Sequence, residues 1–524
     1  MGEKRVNLPS FMHDRRFIIA CIIIFSILIR ILYKNAGLWH FDSYADVKTV
    51  EDILTTGTMQ YSYAYGAPGM VVTVFLFYYL HHLFTGVMTA EPAYFFVTFI
   101  TAALGCALLY LIAERLTKNR FISVASALFF SVTPIFLSAT TYPKTHALSI
   151  FYALLGGYLM MLASEKESWK LLAISGLFFG LNIAIRPDGV LYIIPFLLIY
   201  INPRIKNRKL MINRSRFSLI NIAAFIVPMA GIWFLLFFPR IIEWGGLSAF
   251  FERLNPTTET RGGWMGVISD NTLPALKAMT FSVTWIGWAA IAGGLYYFQK
   301  KKRYFELGIM ILWFSMFFFL FGNLAVMHAR FLLPALIPLM ILMAAGCSLV
   351  YKRNDLIGYL LVIVIIGSMI YAIHPVLSYR HEHSGTKDFA MFVAQNTPGN
   401  AVIMTNDIGF FIRYYGNRDI VFHPRTGDIK EINEFIIELM DYIKQGRPVY
   451  ATGEGFGIDP GKLVQNAIVA NFEIIPVGEQ TTEWYGDSTL KLMLYKEQLF
   501  RLKPKTQEQM QENMTEVPDE KQST

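Results

Sequence analysis

Residues 92–113 read PAYFFVTFITAALGCALLYLIA, a run without a single charged side chain. A bilayer core about 30 Å thick is crossed by about 20 helical residues, so this run predicts a membrane-spanning helix. Further apolar runs of near-spanning length lie at 17–34, 121–141, 146–163, 171–185, 188–202, 217–239, 276–298, 304–325, 331–350 and 356–374. We therefore predict a polytopic α-helical membrane protein with about eleven spans.

The composition excludes the common soluble classes. Of the 524 residues, 54% are hydrophobic and only 16% are charged, whereas soluble domains carry roughly 25% charged residues. The net charge of +8 is not gathered in a basic domain and no base-stacking motif accompanies it, so no nucleic-acid partner is predicted. The cysteines all fall inside apolar runs, which favours neither a disulfide framework nor a zinc site; they are Cys21, Cys106 and Cys347.

The basic residues predict the orientation of the chain. The stretch 69–85 has only about ten uninterrupted apolar residues before His81, which is short for a span and typical of an interfacial or re-entrant helix. With this stretch left out, 21 Lys and Arg residues fall in the cytoplasmic segments and ten in the outer loops and span ends. Because cytoplasmic loops carry the excess of Lys and Arg, the amino terminus is predicted in the cytoplasm and everything after 375 outside a plasma or ER-type membrane.

The sequence after residue 375 changes to short β-branched runs that alternate with helical patterns. Strands are predicted at 401–405, 448–451, 472–476 and 490–494, and helices at 385–396, 428–444 and 459–469. Residues from 503 are rich in Gln, Glu and Lys and predict a disordered tail. The chain is thus divided into a transmembrane domain 1–374, an extracytoplasmic α/β domain 375–502 and a tail 503–524.

The first predicted outer loop places carboxylates beside aromatic residues. Asp42, Tyr44 and Asp46 follow one another on a helical pattern just after the first span. A carboxylate that is desolvated at a membrane surface gains proton affinity and becomes a usable general base. The alternative is that these acids solvate an interfacial helix and favour its dipole.

Three short outer turns each carry a cation, namely Lys144, Arg186 and Arg330. Positive charges at the outer face run against the orientation rule, and ionisable groups at span ends often mark a polar cavity. The planar fork of Arg suits a phosphate, so the three residues predict an anion site. The alternative for each is a side chain that snorkels to the interface.

Other outer residues are candidates for contacts with a sugar or an acceptor. His146 and His328 stand in two of the same turns, and the outer histidines lie in separate loops without metal-ligand spacing, which favours hydrogen bonding over metal binding. The long loop 240–275 adds Arg261 and Trp264. A tryptophan there suits sugar stacking or a mobile flap, and equally an interfacial aromatic belt.

In their order and predicted side of the membrane, these motifs resemble the GT-C membrane glycosyltransferases. The resemblance is to the branch of dolichyl-phosphate-mannose protein mannosyltransferases and lipid A aminoarabinose transferases, and it covers most of 17–374. It rests on Asp42-Ser43-Tyr44-Ala45, Pro68, the turn before the fourth span, Arg186-Pro187-Asp188-Gly189, and Arg330-Phe331-Leu332-Leu333-Pro334.

The resemblance implies an inverting transferase with a polyprenyl-phosphate or dolichyl-phosphate sugar donor. The acceptor hydroxyl belongs to a glycan, a lipid or a protein on the extracytoplasmic face. In this interpretation Asp42 is the catalytic base, while Lys144, Arg186 and Arg330 bind the donor phosphate. The residues assigned to binding of the sugar or the acceptor are Tyr44, His146, Arg261, Trp264 and His328.

Two features of the resemblance stay open. Many relatives carry Asp-Glu where this chain has Asp42-Ser43, so protein mannosylation in particular is not assigned. Asp46 is the candidate for a second carboxylate, because four residues on it shares a helical face with Asp42. No cofactor is assigned, and participation of a divalent cation is left as an alternative.

A lipid-linked sugar transporter or flippase is the alternative function. Such a protein is expected to carry charges in the centres of its spans, and many transporters are built from internal repeats. The apolar runs here are nearly free of charges at their centres, and no internal repeat is evident. The sequence therefore favours the transferase.

Overall fold

A computed structural model of the protein describes residues 14–57, 68–86, 89–201, 204–206, 209–211, 218–254, 272–322, 328–424, 426–457, 461–483 and 489–506. The chain forms two compact units. The first comprises Met1–Lys34, Ala45–His381 and Thr489–Lys491, and the second comprises Asn35–Tyr44, Glu382–Ser488 and Leu492–Thr524.

The first unit is built almost entirely from helices. The first turn of one of them, α2 (Phe41–Thr56), belongs to the second unit. In chain order they are α1 (Arg15–Leu32), α2 (Phe41–Thr56), α3 (Pro68–Thr85), α4 (Glu91–Thr117), α5 (Arg120–Val132), α6 (Pro134–Ala139), α7 (His146–Lys166), α8 (Trp169–Ile185), α9 (Ile193–Ile201), α10 (Leu219–Glu243), α11 (Leu247–Leu254), α12 (Thr272–Lys300), α13 (Tyr304–Gly322), α14 (Leu333–Tyr351) and α15 (Asp355–Glu382). Two 3-10 turns, Pro187–Tyr192 and Ala329–Leu332, precede α9 and α14. A small antiparallel hairpin joins β1 (Arg204–Lys206) to β2 (Lys209–Met211).

The helices have the character of membrane spans. Eight helices of the described chain are long and apolar enough to cross a bilayer. Among them α10 has a mean hydropathy of 2.2, yet it exposes Leu219, Ile220 and Val227. A helix that is apolar on its exposed face is suited to lipid rather than to water, since lipid-facing surfaces need no polar cover. The protein is an integral membrane protein, as predicted.

The helices differ from the predicted spans in physically clear ways. The stretch 69–85, which the charge pattern predicts to be interfacial, forms the 18-residue helix α3 and has the length and composition of a span. The run 121–141 is broken at Pro134, because proline cannot donate to the preceding turn. Helix α8 has 17 residues, and 188–202 begins with a 3-10 turn. The length and composition of the helices do not determine how many of them cross the membrane, so eleven spans stays a prediction.

Small residues allow two long helices of the bundle to approach closely. A Cβ atom added to Gly346 on α14 would overlap the carbonyl oxygen of Ala290 on α12, and one added to Gly294 would overlap that of Leu342. Backbones in contact at small residues are the usual way that membrane helices associate, because apolar side chains gain little from leaving lipid. The contact fixes α14, which follows a turn of the candidate site.

The second unit is a small α/β domain. Its helices are α16 (Gly385–Asn396), α17 (Gly409–Gly416), α18 (Ile429–Lys444), α19 (Glu454–Gly457) and α20 (Leu463–Asn471), and its strands are β3 (Val402–Thr405), β4 (Asp419–Phe422), β5 (Val449–Thr452), β6 (Phe472–Glu483) and β7 (Leu494–Pro504). The sheet order is β4-β3-β5-β7-β6. The strands β4, β3 and β5 are parallel, while β7 is antiparallel to both of its neighbours.

Most of the predicted elements of this domain are present. The strands predicted at 401–405, 448–451 and 472–476 correspond to β3, β5 and the start of β6. The strand predicted at 490–494 was wrong, since β7 begins only at Leu494 and extends to Pro504, just beyond the predicted start of the tail. Strand β4 was missed. Helix α15 continues past residue 374 to Glu382, so the first unit reaches His381.

Candidate active site

A pocket in the first unit brings together three of the predicted site residues, His146, Arg186 and Arg330. It lies where α7 begins, where α8 passes into a 3-10 turn and where the second 3-10 turn leads into α14. Its cavity volume is about 10 Å³, room for about one water molecule, and its wall also includes Asp188 and Phe331. The pocket therefore combines positive charge, one carboxylate and an aromatic ring.

Arg186 is positioned by the turn that follows α8. Its backbone is extended, with φ −145° and ψ 122°, because Pro187 disfavours the helical region for the residue before it. The chain then turns at once, and the N–H of Gly189 donates to the carbonyl of Arg186 at 2.9 Å. The helix thus ends at the residue whose side chain enters the pocket.

Asn182 holds this turn against α7. Its amide oxygen accepts from the Ser149 hydroxyl at 2.7 Å, and its amide nitrogen donates to the Gly189 carbonyl at 3.3 Å. A Cβ atom at Gly189 would lie only 2.7 Å from that nitrogen. Glycine is required here by the close approach of the turn to Asn182.

The guanidinium of Arg186 is held from two sides. Its Nε donates to Asp188 Oδ1 at 3.0 Å, and its Nη1 lies 3.1 Å from His146 Nε2. Because a guanidinium only donates hydrogen bonds, His146 Nε2 is the acceptor and the proton of the neutral ring is assigned to Nδ1. Both Arg186 and Asp188 are 17% exposed, so their ion pair is partly shielded from water.

Phe331 links the two arginines. The guanidinium carbons of Arg186 and Arg330 each lie 5.4 Å from the centre of its ring, and the His146 ring is stacked 6.3 Å away. The two guanidinium carbons are therefore at most about 11 Å apart. Such cation–π contacts are within the attractive range of roughly 6 Å. Arg330 is buried, with 3% of its surface exposed.

The charges of the pocket suit an anion. Two guanidinium groups and one carboxylate leave a positive charge while His146 is neutral. Guanidinium binds phosphate oxygens in a planar, often bidentate arrangement, and it keeps its proton throughout the physiological range. These charges can thus attract an oxyanion to the pocket beside a neutral imidazole, which offers a further proton-transfer group.

Two other predicted residues lie near this pocket in the chain but not on its wall. Lys144, two residues before α7, is buried. His328 caps the 3-10 turn of Arg330 and contacts the Phe331 ring edge-on at 5.1 Å. Its placement is typical of a residue that supports Phe331.

Asp46 ties α2 to the start of α4. Its carboxylate is buried and accepts a hydrogen bond from the Tyr94 hydroxyl at 2.8 Å. On the same helix Glu51 accepts from the backbone N–H of Ala90 at 2.8 Å. These bonds give Asp46 a clear structural role, and its role as a second carboxylate stays a prediction.

Asp42 lies in the second unit, in the first turn of α2. Its Oδ2 atom is 3.5 Å from His40 Nδ1, which accepts the backbone N–H of Asp42 at 3.1 Å. The carboxylate is 28% exposed. Tyr44 is buried among aromatic rings of α17, with centres 5.3 Å from Phe410 and 5.8 Å from Tyr414. Tyr44 therefore packs as a core residue of this unit.

Arg261 and Trp264 lie outside the described residues. Sequence reasoning missed Asp188 and Phe331 as members of the pocket. Both stand in the motifs quoted above, directly beside a predicted cation. What the sequence did not reveal is that one ring contacts both arginines, because they are far apart along the chain.

Part of the chain matches a known family model. Residues 72–238 match the family model described as dolichyl-phosphate-mannose-protein mannosyltransferase. No curated protein matches the chain significantly.

The fold matches solved structures over most of the chain. The crystal structure of ArnT from Cupriavidus metallidurans bound to undecaprenyl phosphate matches with a TM-score of 0.62 at 11% identity. The match covers 92% of this chain and 97% of that one. The apo crystal structure of the same ArnT matches with a TM-score of 0.57 and the same coverage. At this identity the likeness shows a shared fold.

Proposed function

We propose that this chain, a membrane glycosyltransferase with the GT-C fold, moves a mannose-like sugar from a polyprenyl- or dolichyl-phosphate donor to an acceptor hydroxyl. The transfer inverts the configuration at the anomeric carbon of the sugar and takes place at the extracytoplasmic face. The observation that carries the proposal is the pocket in which Arg186 and Arg330 flank Phe331. The structure of ArnT with undecaprenyl phosphate supports the donor class.

The leaving group of this reaction is a lipid phosphate. Negative charge grows on its oxygens as the glycosidic bond breaks, and guanidinium groups that are already fixed stabilise that charge without reorganising. Arg186 is fixed by Asp188 and His146, and Arg330 is buried beside Phe331. These two arginines are the proposed phosphate-binding residues, with Lys144 as a third.

Asp42 is the proposed general base. As a carboxylate it would accept the proton of the acceptor hydroxyl while the acceptor oxygen attacks the sugar from the side opposite the departing phosphate. Its partial exposure in the first turn of α2 supports access by an acceptor. Asp46 remains a proposed second carboxylate, and His146 and His328 remain proposed contacts for sugar or acceptor.

The course of α7 supports the proposed side of the membrane. This helix of 21 residues starts at His146 in the pocket and ends at Lys166, a rise of about 30 Å that equals the bilayer core. Basic residues gather at the far end, including Arg115 and Lys118, and such residues favour the cytoplasmic side. The pocket then faces the opposite, extracytoplasmic side.

The test is transfer by the purified full chain in lipid nanodiscs. The chain is incubated with polyprenyl-phosphate mannose and separate pools of glycan, lipid and peptide acceptors. Released polyprenyl phosphate and the anomeric configuration of the product are measured. We expect polyprenyl phosphate to be released only in the presence of one acceptor pool, and the product to have the inverted anomeric configuration. The transfer rate of the Asp42→Asn variant should fall at least about 100-fold, since general-base catalysis contributes typically 10²–10⁴-fold.

The matched control is Arg353→Gln, a charge change at an exposed residue between α14 and α15. It should transfer at the wild-type rate. Full transfer by Asp42→Asn would remove Asp42 from the mechanism. Flipping of a labelled lipid across the bilayer without glycosidic transfer would instead favour the transporter.

A further inference from the structure

A second depression lies in the first unit, at the end of the bundle away from the candidate active site. Its volume is about 590 Å³, and all of its lining residues are charged: Arg15, Glu114, Arg115, Lys118, Arg120 and Glu165. None of these residues takes part in the proposed transfer. They contribute four cations and two carboxylates, so the depression carries a net charge of +2.

The depression is formed by helix ends. It lies where α1 and α5 begin and where α4 and α7 end. Lys118 adopts a left-handed conformation at the end of α4, with φ 54°, and the Asn119 side chain then caps α5. The ends of spanning helices meet the headgroup layer of a bilayer, so the lining residues are expected at that depth. Because the 21-residue helix α7 begins at His146 and carries Glu165 of the depression near its other end, the two sites belong to opposite faces.

The carboxylates hold two of the arginines but do not use all of their donors. Arg15 Nη2 lies 3.0 Å from Glu114 Oε2, and Arg115 Nε lies 3.2 Å from Glu165 Oε1. One further guanidinium atom of this cluster, Arg15 Nε, is closed to solvent and makes no hydrogen bond to a described residue. Shielded donors of this kind are normally satisfied by an acceptor.

We propose that this depression binds the phosphate of an anionic lipid headgroup on the cytoplasmic leaflet. A phosphate group supplies the negative charge that the cluster of four cations and two carboxylates lacks, and an oxygen acceptor for the shielded Arg15 Nε. Anionic lipids are enriched in the cytoplasmic leaflet and attract basic residues near the membrane surface. The expected position of the depression at the headgroup layer favours a lipid phosphate over a freely diffusing one.

The test measures thermal stabilisation of the purified full chain in neutral detergent. Phosphatidylglycerol, phosphatidylcholine or inorganic phosphate is titrated, and the apparent dissociation constant is taken from the shift in Tm. The double variant Lys118→Gln/Arg120→Gln removes two exposed cations of the depression. The matched control Lys301→Gln/Lys302→Gln removes two exposed cations from the turn between α12 and α13, outside the depression.

We expect phosphatidylglycerol, but not phosphatidylcholine, to raise the Tm of the wild type and of the control. The double variant should bind phosphatidylglycerol at least tenfold more weakly while keeping wild-type glycosyl transfer, because it leaves the active-site pocket intact. If inorganic phosphate matched phosphatidylglycerol in the wild type and lost its effect in the double variant, the anion site would stand and its ligand would be free phosphate. Equal stabilisation of both double variants, or none of the wild type, would overturn the proposal.

Discussion

At the scale of single residues, the candidate pocket depends on the local rules of two turns. Arg186 enters it because Pro187 holds the preceding backbone extended at the end of α8. Arg330 enters from a 3-10 turn that His328 begins. Each arginine could be predicted from its unusual position at an outer span end. Their common contact with Phe331 could not, since it depends on how α8 and α14 are packed.

Replacing Arg330 tests the electrostatic role of the pocket. We expect Arg330→Gln to lower kcat/KM for transfer about 10²–10³-fold, as removal of one fixed donor to a developing oxyanion typically does. Arg330→Lys keeps the charge but loses the planar fork, so it should recover only part of the activity. The measurement is transfer kinetics in nanodiscs, together with binding of polyprenyl phosphate.

The control for this pair is the folded state of each variant, checked by its Tm and by its elution as a single species. A Gln variant that is folded, binds polyprenyl phosphate normally and transfers at the wild-type rate would contradict a role in phosphate stabilisation.

Gly189 tests the turn that aims Arg186. In Gly189→Ala the added Cβ would lie 2.7 Å from Asn182 Nδ2, so Asn182 or the turn must move. We expect a loss of about 1–3 kcal/mol in stability, the usual cost of overpacking, and at least tenfold lower transfer. Gly231→Ala is the matched control, because nothing lies within 4 Å of its added Cβ on α10. Equal effects of both changes on transfer would contradict this account of the turn.

At the scale of elements, the described part of the second unit shows where sequence patterns stop being sufficient. Strands β3 and β5 are continuous buried runs and were predicted. Strand β4 has the same length but begins with Asp419 and buries only Val421, so its pattern is weak. The segment 490–494 alternates like a strand, yet Thr489–Lys491 belongs to the first unit, where the Ser138 hydroxyl donates to the Thr489 carbonyl at 2.6 Å. A tertiary contact thus overrides the local pattern.

Strand β7 also carries a buried carboxylate that makes this unit sensitive to pH. Burial raises the pKa of Glu497 to about 7 from an ordinary value of 4.5, although its Oε1 accepts the backbone N–H of Glu454 at 2.7 Å. The folded state therefore binds the proton more tightly than the unfolded state. The stabilisation is fully present below pH 4.5 and is lost as the pH rises through 7.

The expected result is that the second unit loses up to about 3 kcal/mol of stability between pH 4.5 and 7 because of this group, since one pKa unit corresponds to about 1.4 kcal/mol. In Glu497→Gln this part of the pH dependence should disappear. The measurement is calorimetric unfolding of the full chain at a series of pH values, with Glu473→Gln on β6 as an exposed control. An identical pH dependence in the wild type and Glu497→Gln would show that the carboxyl does not carry the effect.

At the scale of the whole molecule, the fold class followed from the apolar runs because a bilayer imposes one length on every span. The composition likewise indicated a membrane protein rather than a soluble one, and the basic segments predicted its orientation. The exact set of spans does not follow in the same way. Helix α3 has the length and composition of a span, whereas α1 carries Arg15, Arg16 and Arg30. Hydropathy therefore favours α3 as a span, whereas the distribution of basic residues favours α1. The side of the membrane on which the later segments lie tests whether α3 is an additional span.

Sidedness can be measured with single cysteines and a membrane-impermeant maleimide in intact cells. In a Cys21→Ser background the remaining Cys106 and Cys347 are buried. With eleven spans and α3 at the interface, Lys430→Cys on exposed α18 should be labelled before the membrane is opened. Lys301→Cys, in the turn between α12 and α13, should be labelled only afterwards. Adding α3 as a further span behind the same cytoplasmic amino terminus would reverse both results, because one extra crossing exchanges the side of every later segment.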